Sequence, residues 1–283
     1  MKPADLELAL EWASEEGWNP GRGDAAAFPE ADPEGLLMGF MDGEPVAAIA
    51  CPRYDSGFGF VGLYLVRPDL RGRGLGMALW RAGHDLLGGR TSGLDAVDAQ
   101  VANYERSGYR AEGHTYRHQG RGPAAKPAEP LAAIEDVSWE ELMALDARAF
   151  PAARESFLRA WTTQPDVRAL ALIRDGEVAG YGVIRPCRDG HKIGPLFAPD
   201  RAGAEALLDG LVAELGTGEP WWIDTPETNP VAIELARDRG LEPVFRTARM
   251  YRGDAPEYER GLVRGDDARA WLGLEIRSAP ARP

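Results

Sequence analysis

The chain is poor in cysteine, histidine and positive charge. Two cysteines, Cys51 and Cys187, stand in different segments without metal-ligand spacing, so neither a disulfide framework nor a thiolate metal site is expected, and a reducing, cytoplasmic setting is. Nowhere do eighteen apolar residues follow one another, and Met1-Lys2-Pro3-Ala4-Asp5 turns acidic at once, so neither membrane insertion nor an export signal is expected. Lysine and arginine total 32 against 45 acidic residues. The net charge of -13 argues against general nucleic-acid binding, because a field of that sign repels phosphate backbones. What remains is an ordinary globular composition, 44% hydrophobic, over 283 residues, long enough for two domains with real cores.

The most informative stretch runs from Val61 to Leu87. Val61-Gly62-Leu63-Tyr64-Leu65-Val66 suits a buried strand, and Pro68 ends it. From Leu75 onward, Leu75, Ala78, Leu79, Ala82 and Leu86 recur at helical spacing and predict one apolar face. Between strand and helix lies Arg71-Gly72-Arg73-Gly74-Leu75-Gly76. Three alternate glycines leave the backbone unshielded where a helix start directs unpaired N–H groups outward, and Arg67, Arg71, Arg73 and Arg81 crowd the same stretch of an acidic chain. Such a turn can wrap a diphosphate.

Val66-x-Pro68-x-x-Arg71-Gly72-x-Gly74-x-Gly76 resembles the acyl-CoA-binding motif of the GNAT N-acetyltransferase superfamily. The resemblance implies that the strand end, Tyr64, Leu65 and Val66, bonds the pantetheine arm through its backbone. It also implies that the amides of Arg71, Gly72, Arg73, Gly74, Leu75, Gly76 and Met77 hold the pyrophosphate. Farther on, Asn103-Tyr104-Glu105-Arg106-Ser107-Gly108-Tyr109 resembles the family's Tyr-x-x-x-Gly-Phe signature. Tyr104 thereby takes the role of the acid that protonates the departing coenzyme A thiolate, with Asn103 a contact to the pantetheine arm; many members have a longer helical run between these two positions.

Around this core the chain reads in order. Leu6, Ala9, Leu10 and Ala13 predict a first amphipathic helix, ending at Glu16-Gly17-Trp18-Asn19-Pro20-Gly21, where the family shapes its acceptor pocket. Glu16 and Asp24 are the candidate bases there. Leu36–Phe40 and Pro45–Cys51 predict a hairpin about Asp42-Gly43, and residues 93–99 a further strand. The proline- and glycine-rich stretch from Gln119 to Pro130 reads as a linker.

Beyond the linker the pattern repeats. Asp42-Gly43-Glu44 returns as Asp175-Gly176-Glu177, Gly62 as Gly194, Gly108 as Gly240 and Gly120 as Gly253, always at an offset of 132 or 133. The copy lacks the chemistry: Pro199-Asp200-Arg201-Ala202-Gly203 replaces the glycine turn, and Ala236 stands where the repeat requires Tyr104. Its helix carries Ala204, Leu207, Leu208, Leu211, Val212 and Leu215. Three further features could serve an acceptor: His191-Lys192, Trp221-Trp222-Ile223-Asp224 and Thr225-Pro226-Glu227-Thr228-Asn229.

The expected fold is therefore α/β (α+β), two tandem GNAT folds, each a mixed, mostly antiparallel sheet flanked by helices. The expected boundaries are 1–120 for the catalytic domain, 121–130 for the linker, 131–253 for the degenerate domain and 254–283 for an extension in which Trp271–Ile276 reads as a strand. The resemblance implies direct transfer of an acetyl group from acetyl-CoA, as cosubstrate and without a metal, to the primary amine of a small molecule. The alternative is a non-catalytic acyl-CoA-binding or regulatory module. No nucleic-acid or membrane partner is expected, and a homodimer is left open.

Overall fold

The computed structural model describes residues 1–55, 57–123 and 126–266. In chain order its elements are α1 (Pro3–Glu15), α2 (Asp24–Ala27), β1 (Leu36–Met41), β2 (Glu44–Ala50), β3 (Phe58–Val66), α3 (Leu75–Leu87), β4 (Thr91–Ala96), α4 (Val101–Arg106) and β5 (Arg110–Arg121). There follow β6 (Leu131–Ala133), α5 (Trp139–Ala149), α6 (Glu155–Thr162), β7 (Arg168–Arg174), β8 (Glu177–Pro186), β9 (His191–Phe197), α7 (Arg201–Val212), β10 (Pro220–Pro226), α8 (Pro230–Asp238), β11 (Glu242–Arg252) and β12 (Val263–Gly265). None of these helices is long and apolar enough to cross a membrane.

The chain forms two compact units. The first comprises residues 1–112 and 247–256, and the second 113–246 with the described residues from 257 onward. The sequence repeat and the compact units thus differ at two strands. Most of β5 joins the second unit, where Arg121 pairs with Pro220 and Tyr116 with Thr225, while the end of β11 joins the first, where Ala248 pairs with Ala96. Gln119, Gly120 and Arg121, read as linker from their composition, are therefore strand residues. Gly120 is required there because a Cβ would fall 2.2 Å from the Trp221 ring.

In the first unit the strands run in the order β1, β2, β3, β4, β11, antiparallel except for β3 beside β4. Asp42 and Gly43 both have positive φ, 54° and 86°, the left-handed pair that a two-residue hairpin requires. Helix α1 buries Leu6, Ala9, Leu10 and Ala13, the face its spacing predicts. Helix α3 does not follow its expected face. It buries Leu79, Trp80, Gly83 and Leu87, while Ala78 and Ala82 are exposed. The reason is a close approach: a Cβ on Gly83 would lie 2.5 Å from Cys51 Sγ, so the helix meets the sheet along its glycine rather than its alanines.

The second unit repeats this plan. Its strand order is β5, β10, β9, β8, β7, β6, with β9 and β10 parallel and β12 added against β9. The Asp175-Gly176 turn repeats the Asp42-Gly43 geometry at φ of 53° and 85°. Helix α7 buries Ala204, Leu207, Leu208, Leu211 and Val212 as its pattern predicts, with Trp221 and Ile223 in the same core. The strand expected at Trp271–Ile276 lies outside the described residues.

Candidate active site

Strand β3 carries the irregularity on which the site depends. Leu63 has φ of +47°, a conformation L-residues seldom adopt, and the pairing with β2 slips between Ala48 and Ala50. Parallel pairing with β4 extends only from Phe58–Thr91 to Val61–Leu94. Past that point β3 and β4 diverge. Leu65 and Val66 keep Ala48 and Ala47 of β2 on one side, and among the described residues no strand covers the other side of Tyr64, Leu65 and Val66. An amide-bearing extended arm can hydrogen-bond such an edge as a short extra strand would.

The turn that follows has a division of labour among its glycines. Gly72 and Gly74 sit at φ of 78° and 82° with nothing near the place of a Cβ, so they are there for backbone conformation. Gly76 has ordinary φ but no room: a Cβ would lie 2.7 Å from the Tyr64 hydroxyl and 3.0 Å from Val66 Cγ2. Gly74 opens α3 with no side-chain cap, and the first backbone bond of the helix is Ala78 N–H to Gly74 C=O, 3.1 Å. The amides of Leu75, Gly76 and Met77 precede that bond, have no hydrogen-bond acceptor among the described residues and can meet an anion, with the helix dipole behind them.

Arg71 is not free to do the same. Its Nε donates to the Val66 carbonyl at 3.0 Å, and its guanidinium pairs with Glu16 at the end of α1. Arg71 thereby ties the end of β3 to the α1–α2 loop. Glu16 spends one oxygen on Arg71; Oε2 is buried and has no hydrogen-bond partner among the described residues. Two residues on, Trp18 is fully buried, and its indole N–H has no hydrogen-bond partner among the described residues. Asp24 is also fully buried and accepts the Gly21 N–H at 2.8 Å, a contact that shapes the loop.

Tyr104 comes from α4 and is 4% exposed. Its ring packs 5.3 Å from Trp80 and 6.1 Å from Tyr109, and Trp80 also stands 5.3 Å from Tyr64, so one tryptophan supports both phenols. Burial holds the Tyr104 phenol well above its ordinary value, and the neighbouring Tyr64 and Tyr109 add to the effect. Burial pushes Tyr64 up to about 12. Both phenols stay neutral at physiological pH. Behind them Tyr109 hydrogen-bonds Ser92 Oγ at 2.7 Å and His84 Nε2 at 3.0 Å, which fixes the wall.

Trp80, His84 and Ser92 are absent from the sequence reading. The helical spacing of Trp80 and His84 with Leu87 was the available signal. Asn103 is exposed and bonds Gln100 and Arg106 of its own helical turn.

Among its described residues the second unit lacks this arrangement at each point. Asp200 opens α7 and accepts the Gly203 N–H at 2.9 Å, so the chain's own carboxylate caps that helix; Arg174 holds the same carboxylate at 2.6 and 3.0 Å. Ala236 is buried in α8, with no hydroxyl to offer. Lys192 and Asp224 form a buried ion pair, 2.8 Å. Trp221 is buried core and Trp222 half-buried.

A strand that splits from its neighbour, an uncapped glycine-led helix and a buried neutral phenol are thus brought together in the first unit, as the resemblance to the GNAT motifs implies. Two family models match in tandem: residues 5–109 match the acetyltransferase (GNAT) family, and residues 142–263 match an acetyltransferase (GNAT) domain. A holothin acyltransferase from Pseudoalteromonas sp. (strain SANK 73390) is 30% identical over 266 residues, 93% of this chain and 90% of its own. The chain belongs to the GNAT acetyltransferase family and is an acyltransferase with two GNAT domains in tandem. Among solved structures, a Pyrococcus horikoshii chain assigned to the acetyltransferases superimposes with a TM-score of 0.79 at 24% identity, covering 94% of this chain and 92% of that one. A tandem GNAT protein from the clavulanic acid biosynthesis pathway gives 0.61 at 19% identity, covering 90% and 98%. Both share the fold.

Proposed function

We propose that the first unit transfers an acetyl group from acetyl-CoA directly to a primary amine of a small molecule. The observation that carries this reading is the free edge of Tyr64, Leu65 and Val66 running into the uncapped amides of Leu75, Gly76 and Met77. Arg73 lies exposed on the same turn and adds charge for the diphosphate. A relative named for acylating holothin supports a small-molecule acceptor.

The thioester supplies the activated acyl group. The protein must supply proton management. An amine with a lysine-like pKa near 10.4 is neutral in only about one molecule in a few thousand at pH 7, a cost of roughly 4.6 kcal/mol. Glu16 Oε2, buried and without a hydrogen bond among the described residues, is the assigned acceptor for that proton. The departing thiolate, with a reference pKa near 8.5, takes a proton from a neutral donor, and the Tyr104 phenol is kept neutral by burial. Asp24, engaged with its own loop, is assigned to shaping the pocket.

Thiol release from acetyl-CoA, measured across a library of small amines, tests the reading. Turnover with at least one amine is expected. Binding of acetyl-CoA without thiol release from any amine would refute it.

A further inference from the structure

The second unit contains the same split between parallel strands as the first, yet there the gap is filled. Strands β9 and β10 pair from His191–Trp221 to Ile193–Ile223 and then separate. Between them enters β12. Val263 pairs with Phe197 and Gly265 with Leu196 on the β9 side, while Asp266 N–H donates to the Asp224 carbonyl of β10 at 2.6 Å. Just past β9, Ala198 N–H donates to the Leu262 carbonyl at 2.9 Å. Ala198 stands at the repeat offset from Val66.

The fit is close. Leu262, Val263, Arg264 and Asp266 are all nearly inaccessible, and a Cβ on Gly265 would lie 2.8 Å from Ile223 Cδ1 and 3.0 Å from Leu196 Cβ. One side chain fastens the segment. Asn229 donates through Nδ2 to the carbonyls of Val263 (2.8 Å), Arg260 (3.1 Å) and Gly261 (3.3 Å), and its Oδ1 accepts from Arg264 Nη1 (2.7 Å). Arg264 in turn donates to the Pro199 carbonyl at 3.2 Å, beside the start of α7.

We infer that residues 260–266 are a cis-acting peptide ligand, a strand that fills in the second unit the gap corresponding to the acyl-pantetheine slot of the first. Its chemistry suits the site: a strand offers the N–H and C=O groups that an exposed strand edge lacks, and the Arg264–Asn229 contact anchors it. The second unit is thus closed to acyl-CoA by a built-in occupant, independently of its missing glycine turn. The comparison of the two gaps rests on the cosubstrate reading of the first unit.

Hydrogen exchange of the full chain, followed by mass spectrometry with and without saturating acetyl-CoA, tests it. Peptides covering 196–199, 223–226 and 260–266 should exchange at least about 100-fold more slowly than free chain, and acetyl-CoA should leave them unchanged. In Gly265→Leu the first two should lose about tenfold of that protection, while acetyl-CoA still slows exchange at 71–79. Free-chain exchange at 260–266, its release by acetyl-CoA, or unaltered protection in Gly265→Leu would each overturn the inference. A missing response at 71–79 in the wild-type chain would count instead against the cosubstrate reading, and protection at 260–266 would still support the seated strand.

Discussion

Gly76 lies against Tyr64 so closely that a Cβ at position 76 would stand 2.7 Å from the phenolic oxygen. The start of α3 and the end of β3 are therefore packed backbone to ring, and the Tyr64 ring itself leans on Trp80 at 5.3 Å. Gly76→Ala should push α3 away from β3 at a strain of about 1–3 kcal/mol. The expected result is a rise of about tenfold or more in the acetyl-CoA KM, partly relieved in the double variant with Tyr64→Phe, which removes the colliding oxygen. Equal KM values for wild type and Gly76→Ala would contradict the packing account.

Tyr104→Phe keeps the ring against Trp80 and removes the donor. A fall of about 100-fold in kcat with little change in the acetyl-CoA dissociation constant is expected for loss of a general acid. The pH dependence has a definite sign. Because burial raises the Tyr104 value above its usual 10, the phenol stays protonated through pH 9, and the rate should climb with amine deprotonation without a downward limb below about pH 10. Steady-state rates between pH 6 and 10 check this.

Glu16 bonds Arg71, and Arg71 bonds the Val66 carbonyl. Glu16→Gln should therefore affect both substrates. The amine loses its proton acceptor, so kcat falls by about 10- to 100-fold. The acetyl-CoA KM rises only a few-fold, since a partly exposed ion pair contributes about 0–1 kcal/mol. A change confined to the acetyl-CoA KM would make Glu16 a tether alone.

Asp200 caps α7, and the Arg174 guanidinium, aided by the Gly203 N–H, holds its carboxyl down at about 2. A depressed value means that the contribution is complete above the unfolded-chain value near 3.9 and is lost as pH falls from there through 2. Asp200→Ala should cost about 1 kcal/mol at pH 7, as for other lost caps, and should flatten the stability profile between pH 4 and 2. Thermal unfolding across that range measures both. Acetyl-CoA affinity should not change.

In the second unit, Arg154 grips Asp146 with bonds of 2.9 and 2.7 Å, both side chains almost wholly buried. Asp146→Ala leaves a buried guanidinium without its anion and should destabilise the protein by about 3–5 kcal/mol. Chemical denaturation of the purified variant provides the check.

Much of this was legible in the residues because local rules and tertiary demands agree. Asp42-Gly43 and Asp175-Gly176 announce hairpins because both residues of such turns need positive φ, and the α1 and α7 faces follow from spacing alone. The α3 face was not legible, since glycine in place of alanine at the contact can be recognised only once Cys51 is seen beneath Gly83. Nor was β12: three residues, one of them arginine, carry no strand pattern, and their partners lie at residues 196–197. Crossing of β5 and β11 between units leaves no local trace, because either strand satisfies the same alternation. At the site, the glycines and Tyr104 were visible as a motif, whereas the separate tasks of Gly74 and Gly76, and the Arg71–Glu16–Val66 tie, depend on distances.

The central claim is that one unit alone takes the acyl donor. Isothermal titration of the full-length chain with acetyl-CoA should give one equivalent per chain, and Gly76→Ala should weaken that single event. Two equivalents per chain would contradict the account.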